Sequence, residues 1–366
     1  MFTSPSELTF GEAYIFDDFD IEGDIEASFE LADFLLSQER AVTKRLHLAI
    51  SLGRLPATGR PRAVPRTLRL RGAVHSRCRD RDAISYHYDL PPEFYSLFLD
   101  RRMVYSCAYF HTPEDGLEEA QEQKLDYICR KLRLRPGDRL LDIGCGWGAL
   151  AIHAAANYGA HVLGITLSEP QAEVARQRIR DLGLERCSVE VRDYRELGSD
   201  QQFDKIVSVG MFEHVGEARL QEYFSRTWRL LRPGGAFLNS GISSSAAYHR
   251  QGPSFIDRYV FPDGELVPLN ATLGAAERNG FEVKDVESLR EHYALTLHYW
   301  VRRLEAHAEK ARCLTDDTTY RTWRLYMAAS AHRFRSAGMN LYQILLAKPL
   351  NGESSMPLIR ADWYRG

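Results

Sequence analysis

The chain has 366 residues, of which 44% are hydrophobic and 11% aromatic, enough to build one large domain or two unequal ones around a sizeable core. A formal net charge of −3 gives no global electrostatic case for nucleic acid, so any anionic partner must meet a local patch. Six cysteines without C-x-x-C spacing argue against a zinc cage or a disulfide framework, leaving no expected metal site and a reducing compartment, the cytoplasm by default.

The N-terminus is acidic through Met1 to Asp20, where a signal peptide would be basic and then apolar. No run of about 18 apolar residues follows, so chemistry on lipid would be done from the water side. Amphipathic stretches around Ile25 to Leu36 and Val42 to Leu52 predict two helices, read as a small helical N-terminal domain over residues 1–53. Arg54 to Arg81 then carries nine arginines and three prolines, with Asp80 the only acid. Pro56, Pro61 and Pro65 forbid a continuous helix, which predicts an extended linker over 54–82. Such a segment is either a solvated tether or a patch for anionic lipid head groups.

Residues 83–130 are dense in aromatics. The spacing of Phe94, Leu97 and Phe98 reads as core packing. Tyr86, His87 and the stretch from Tyr105 to Tyr109 carry polar tips that need partners when buried, as a lid over a ligand would supply.

From Arg139 a repeating β-α pattern begins. Strands are predicted at Arg139 to Ile143, Ala160 to Ile165, Cys187 to Arg192, Lys205 to Val209 and Ala236 to Ser240. Helices fall at Ala149 to Tyr158, Glu169 to Asp181 and Ala218 to Leu230, the last stopped by Arg232-Pro-Gly-Gly. Helices over His292 to Arg312 and Thr319 to Arg335 and a strand over Leu341 to Ala347 complete the reading, with residues 83–366 as one catalytic domain. Alternation of this kind means a mostly parallel sheet, whose ligands bind at the carboxyl ends of the strands.

At the first of those ends stands Asp142-Ile-Gly-Cys-Gly-Trp-Gly. Its glycines let backbone approach a ligand closely, and Gly144, Gly146 and Ala149 also satisfy a dinucleotide G-x-G-x-x-A. The second strand, however, ends Gly164-Ile-Thr-Leu-Ser168, with no acid to hold a ribose 2′-hydroxyl, so a nucleoside without pyrophosphate fits better.

The glycine stretch resembles motif I of S-adenosylmethionine (SAM)-dependent methyltransferases. With Tyr86-His-Tyr-Asp89, Tyr105-Ser-Cys-Ala-Tyr-Phe110, Met211-Phe-Glu-His-Val-Gly216, Tyr259-Val-Phe-Pro262, Tyr293-Ala-Leu-Thr-Leu297 and Phe334-Arg335 it is similar to the cyclopropane-fatty-acyl-phospholipid and mycolic acid cyclopropane synthases. These pieces are collinear over residues 83–350. The resemblance implies a Rossmann-like α/β fold with a seven-stranded, mostly parallel sheet and a helical lid. It implies that Tyr105 and Ser106 meet the amino-acid end of SAM, that Asp142, Gly144 and Gly146 admit it, that Thr166, Leu167 and Gln171 hold the ribose, and that Tyr194 and Arg195 flank the adenine.

In that family a cis double bond attacks the sulfonium methyl, and a base then removes a proton so that a ring closes. The resemblance makes Glu213 and Tyr293 catalytic, with further lining from Tyr299 and Trp300, and implies bicarbonate as the base, held also by Cys107, a histidine and Ile242. Here Ser240 stands at the histidine position. Serine reaches less far and cannot become cationic, so anion binding should weaken or rearrange unless His214, His249 or His292 substitutes. Three outcomes follow: ring closure, a methyl- or methylene-branched chain, or methylation of a small metabolite, the last including a silent SAM-binding protein. An unsaturated phospholipid or carrier-bound acyl chain is the expected substrate, met at the inner membrane surface through Arg54 to Arg81, and a homodimer is a common state in the family.

Overall fold

The computed structural model describes residues 6–37, 70–198, 200–245, 254–354 and 356–364. The second expected N-terminal helix, His249 and the proline-rich part of the expected linker lie outside them.

Seven strands form one sheet in the order β3-β2-β1-β4-β5-β7-β6. They are β1 Arg139–Ile143, β2 His161–Thr166, β3 Cys187–Val191, β4 Phe203–Val209, β5 Leu231–Ser244, β6 Glu282–Ser288 and β7 Met339–Ala347. The first five run parallel, and β7 lies antiparallel between β5 and β6. The expected fold class is therefore the observed one. Strand order reverses between β1 and β4, which opens a crevice beyond their carboxyl ends. The fifth strand is longer than its apolar stretch suggests, because it pairs with β7 from Ala236↔Ala347 out to Ser244↔Met339.

The longer helices among the described residues are α1 Glu7–Ile15, α2 Ile25–Ser37, α3 Arg77–Tyr88, α4 Leu117–Leu132, α5 Ala149–Tyr158, α6 Glu169–Asp181, α7 Leu220–Leu230, α8 Leu269–Arg278, α9 Arg290–Ala306 and α10 Asp317–Arg335, with short helical turns at Pro92–Tyr95, Phe255–Tyr259 and Ala308–Leu314. Helix α3 corrects the linker reading, since residues 77–82 are helical. Its prolines all lie earlier, and Asp80, the one acid, falls in its first turn, where it complements the helix dipole.

Two apolar cores fill the faces of the sheet, and a third lies under α9 and α10, where Phe94, Phe98, Trp300 and Trp323 pack. Helices α1 and α2 share that third core through Tyr14, Ile15 and Ile25. Charge fixes them there: the Arg321 Nε donates to the Tyr14 carbonyl at 2.8 Å, and buried Glu26 is held by His298 and Arg335. No described helix is long and apolar enough to cross a membrane.

Candidate active site

Two cavities open beyond the carboxyl ends of the central strands and touch along Tyr88, Tyr105, Ser106, Val209, Gly210 and His214. The first is walled by the turns after β1 to β4 and roofed by Asp80, Ile84 and Tyr88 of α3. Every residue expected to meet SAM lines it: Tyr105, Ser106, Asp142, Gly144, Gly146, Thr166, Leu167, Gln171, Tyr194 and Arg195.

Gly144 and Gly146 both take positive φ, +81° and +53°. A Cβ on Gly144 would stand 2.8 Å from the Met211 Cβ, whereas one on Gly146 would meet nothing within 4 Å. Glycine at 146 therefore keeps a space open that a side chain would enter. Beside it Asp142 is buried, its Oδ2 without a hydrogen-bond partner, and burial pushes its carboxyl up to about 7. An unsatisfied buried carboxylate oxygen next to an open cradle is what a ligand with an ammonium group would complete. The pocket therefore fits the amino-acid end of SAM.

Further round, the Thr166 hydroxyl donates to the Gln171 Oε1 at 2.9 Å, and Ser168 caps α6. Arg195 is placed differently from a residue free to stack on a base. Its guanidinium is buried and held by Asp193 and by Asp80 of α3, with a further bond to the His75 carbonyl. It borders the pocket mainly by tying the roof helix to the loop after β3. A second tie runs from Arg79 to Asp263, on the loop that walls the other cavity.

The second cavity, of about 450 Å³, is bounded by the ends of β4 and β5, the loop 254–268, and α9 and α10. Ile242, Phe261, Leu297, Phe334 and Leu341 give it an apolar wall. Cys107, Glu213, Ser240, Ile242 and Tyr293 all line it, as the resemblance implies. Glu213 sits in the short turn after β4. Its Oε1 accepts the Ile242 N–H at 2.6 Å, and its Oε2 is buried without a partner. Burial raises its carboxyl to about 6 against that backbone bond. The Tyr293 hydroxyl and the Cys107 thiol are pushed well up, also by burial, and stay neutral.

Two expected lining residues do not reach this cavity. Trp300 lies behind Tyr105, ring centroids 5.1 Å apart, as fully buried core. Tyr299 stacks on Phe110 and donates to the Asp115 carbonyl. Nor does His292 replace the missing histidine, since it stacks on Tyr109 and accepts the Phe110 N–H. His214 borders both cavities, and burial pushes it down to about 4, leaving it neutral.

Buried His87 gives the aromatic cluster its polar partners. The Val260 carbonyl can only accept, so Nδ1 donates to it at 2.9 Å, and Nε2 faces the Tyr105 hydroxyl at 3.3 Å. Sequence reasoning missed Lys124, which lines the first cavity from α4, and Tyr326, which lines the second from α10. Lys124 sits one turn after Gln121 on the buried face of an amphipathic helix, and a lysine there is its only signal.

A crevice at the strand reversal, a positive-φ glycine turn and a buried acid before it define a SAM-dependent methyltransferase. The family model for mycolic acid cyclopropane synthetase matches residues 75–344, and the chain belongs to that family, whose members act on lipid double bonds. It is 48% identical over 297 residues to a probable fatty acid methyltransferase of Pseudomonas putida, covering 80% of this chain and 75% of that protein. The cyclopropane-fatty-acyl-phospholipid synthase of Escherichia coli K12 is 38% identical over 286 residues, covering 77% and 73%. The crystal structure of mycolic acid cyclopropane synthase CmaA1 complexed with SAH and CTAB superposes with a TM-score of 0.69 at 35% identity, covering 73% of this chain and 97% of that one.

Proposed function

We propose that the protein transfers a methyl group from SAM to the cis double bond of an unsaturated fatty acyl chain held in the second cavity, and that the product is a cyclopropane fatty acid. SAM supplies an electrophilic methyl carbon when bound. An alkene is a weak nucleophile, so the chain's own residues must orient it, exclude water and stabilise positive charge on the lipid. The apolar wall and the neutral hydroxyls of Tyr293 and Tyr326 serve the first two tasks. Glu213 serves the third, and as a carboxylate it takes the proton lost from the added methyl while the C–H electron pair closes the ring.

The observation that carries this reading is the Glu213 carboxylate, held by the Ile242 N–H through one oxygen, its other oxygen buried without a hydrogen-bond partner, where the second cavity adjoins the methyl-donor pocket. A bicarbonate base fits the residues poorly. The Ile242 N–H is already given to Glu213, and the histidine position is a serine, buried in the wall. No step is therefore assigned to that ion.

Ser240 favours a second reading, in which the cation loses a proton elsewhere and a methyl- or methylene-branched chain results. Both products can carry the same added mass, so proton NMR of phospholipid incubated with enzyme and SAM decides between them. Cyclopropyl protons far upfield are expected. Vinylidene or branched-methyl signals without them would replace the ring by the branched product. Unmodified lipid would remove both in favour of a small-metabolite acceptor. The head-group side of the substrate, phospholipid or carrier, and any contact of the arginine-rich segment with a membrane belong to the same proposal.

A further inference from the structure

Lys124 is buried in the middle of α4, 3% exposed. Its Nζ donates to the Ser106 Oγ at 2.9 Å, and it makes no ion pair with any described residue. Burying an ammonium beside one neutral oxygen is costly unless something anionic completes the site. Asp100 and Asp142 attract its charge without pairing with it. Asp100 spends its oxygens on the N–H groups of Arg102 and Val104, at 3.0 and 2.7 Å.

The other lining arginines are already matched. Arg195 faces Asp193 and Asp80, Arg192 faces Glu190, and Arg219 faces Glu222. Lys124 is thus the one lining cation without an ion pair among the described residues, its charge answered only at a distance by Asp142, whose Oδ2 has no hydrogen-bond partner in the same pocket. The unpaired Asp142 carboxylate disfavours a ligand that is only anionic. One carboxylate and one ammonium on the same ligand would satisfy both orphans.

We propose that Lys124 is a binding residue for the α-carboxylate at the amino-acid end of the methyl donor, acting together with Ser106, while Asp142 faces the α-ammonium. The proposal rests on SAM as the donor. It predicts that the enzyme selects its ligand by that carboxylate.

Calorimetric affinities for SAM and for decarboxylated SAM, which keeps the sulfonium, the adenosine and the amine, test this on the full-length wild type and on Lys124→Met. The wild type should bind SAM about tenfold or more tightly than the decarboxylated form, the scale of a hydrogen-bonded charge pair. In Lys124→Met that preference should fall to near one, through weaker SAM binding with the decarboxylated ligand little changed. A structural role alone would weaken both ligands alike and keep the preference, which overturns the proposal. So does a wild type that binds the two equally, whatever the variant does. If the wild type bound neither, the donor reading itself would fail and the proposal with it.

Discussion

The two cavities share a border yet are assembled differently by the chain. The donor pocket concentrates charged and polar groups, and much of its wall comes from short turns within a few residues of a strand end, closed by α3 and α4. The second cavity sets apolar side chains around Glu213, and its wall is assembled from β4, β5, the segment 254–268, and two helices that begin 77 and 104 residues downstream of Glu213. The first holds a ligand of fixed shape by matching charges. Under the proposed function the second accepts a long chain, excludes water from it and brings Glu213 to its reacting carbons. Each keeps one acid raised by burial, Asp142 to about 7 and Glu213 to about 6. Binding and chemistry should therefore be separable.

The largest separation is expected from Glu213→Gln. The amide keeps the shape and can still accept from the Ile242 N–H, but it cannot take a proton. Turnover should fall by about 100-fold or more, the scale of general-base catalysis, with SAM affinity by calorimetry changed less than about twofold. A variant with wild-type turnover would remove Glu213 from the chemistry.

Acidity should draw the same line without mutation. A carboxylate is lost as pH falls through its own pKa, so turnover on saturating substrates should drop up to about tenfold per unit below about 6, as Glu213 becomes protonated. SAM binding should weaken earlier, as pH falls through about 7, where the free protein's Asp142 takes up its proton. Coincident profiles for the dissociation constant and the turnover number would mean that one group governs both.

The contrast also explains what the sequence reveals. The glycine cradle and the β2 side of the donor pocket are legible because their contributions are local: Gly144 and Gly146 announce a turn, and Thr166 and Gln171 sit five residues apart on one strand-helix junction. The acyl cavity is legible at Glu213 and Tyr293 only through resemblance, since nothing local says that α9 and α10 close over β4. Strand β6 escapes notice because it is an edge, with Glu282, Asp285 and Glu287 in a half-exposed strand paired on one side only. Helix α3 escapes because its arginine-rich sequence continues the composition of the segment before it. What makes it a fixed roof is Arg79 and Asp80 finding Asp263 and Arg195, each more than a hundred residues away.

Within the donor pocket, Gly146→Val tests the cradle alone. A branched residue at φ +53° is strained, and its side chain would enter space that the structure leaves open. The strain lowers fold stability, whereas the isopropyl group filling the cradle should weaken SAM affinity by about tenfold, roughly 1.4 kcal/mol. The apparent KM for lipid at saturating SAM should hold. A lipid KM that rose as steeply would show the two cavities to be one.

The smallest effect tests where the cavities meet mechanically. Asp80→Asn removes one carboxylate from Arg195 but leaves Asp193, so the arginine stays paired and the fold should survive. What weakens is the tie between α3 and the loop after β3. The same helix is tied through Arg79 to Asp263, beside Phe261 and Glu265 in the wall of the acyl cavity. A looser roof should therefore act on both sides, raising the SAM dissociation constant and the lipid KM together by about threefold, a loss of roughly 0.7 kcal/mol, small because Asp193 keeps the buried Arg195 paired. Stopped-flow release of SAM should quicken by a similar factor. If only the melting temperature moved, α3 would be a structural strap, and the coupling of donor and acceptor would have to run through the shared wall at Tyr105 and Gly210 instead.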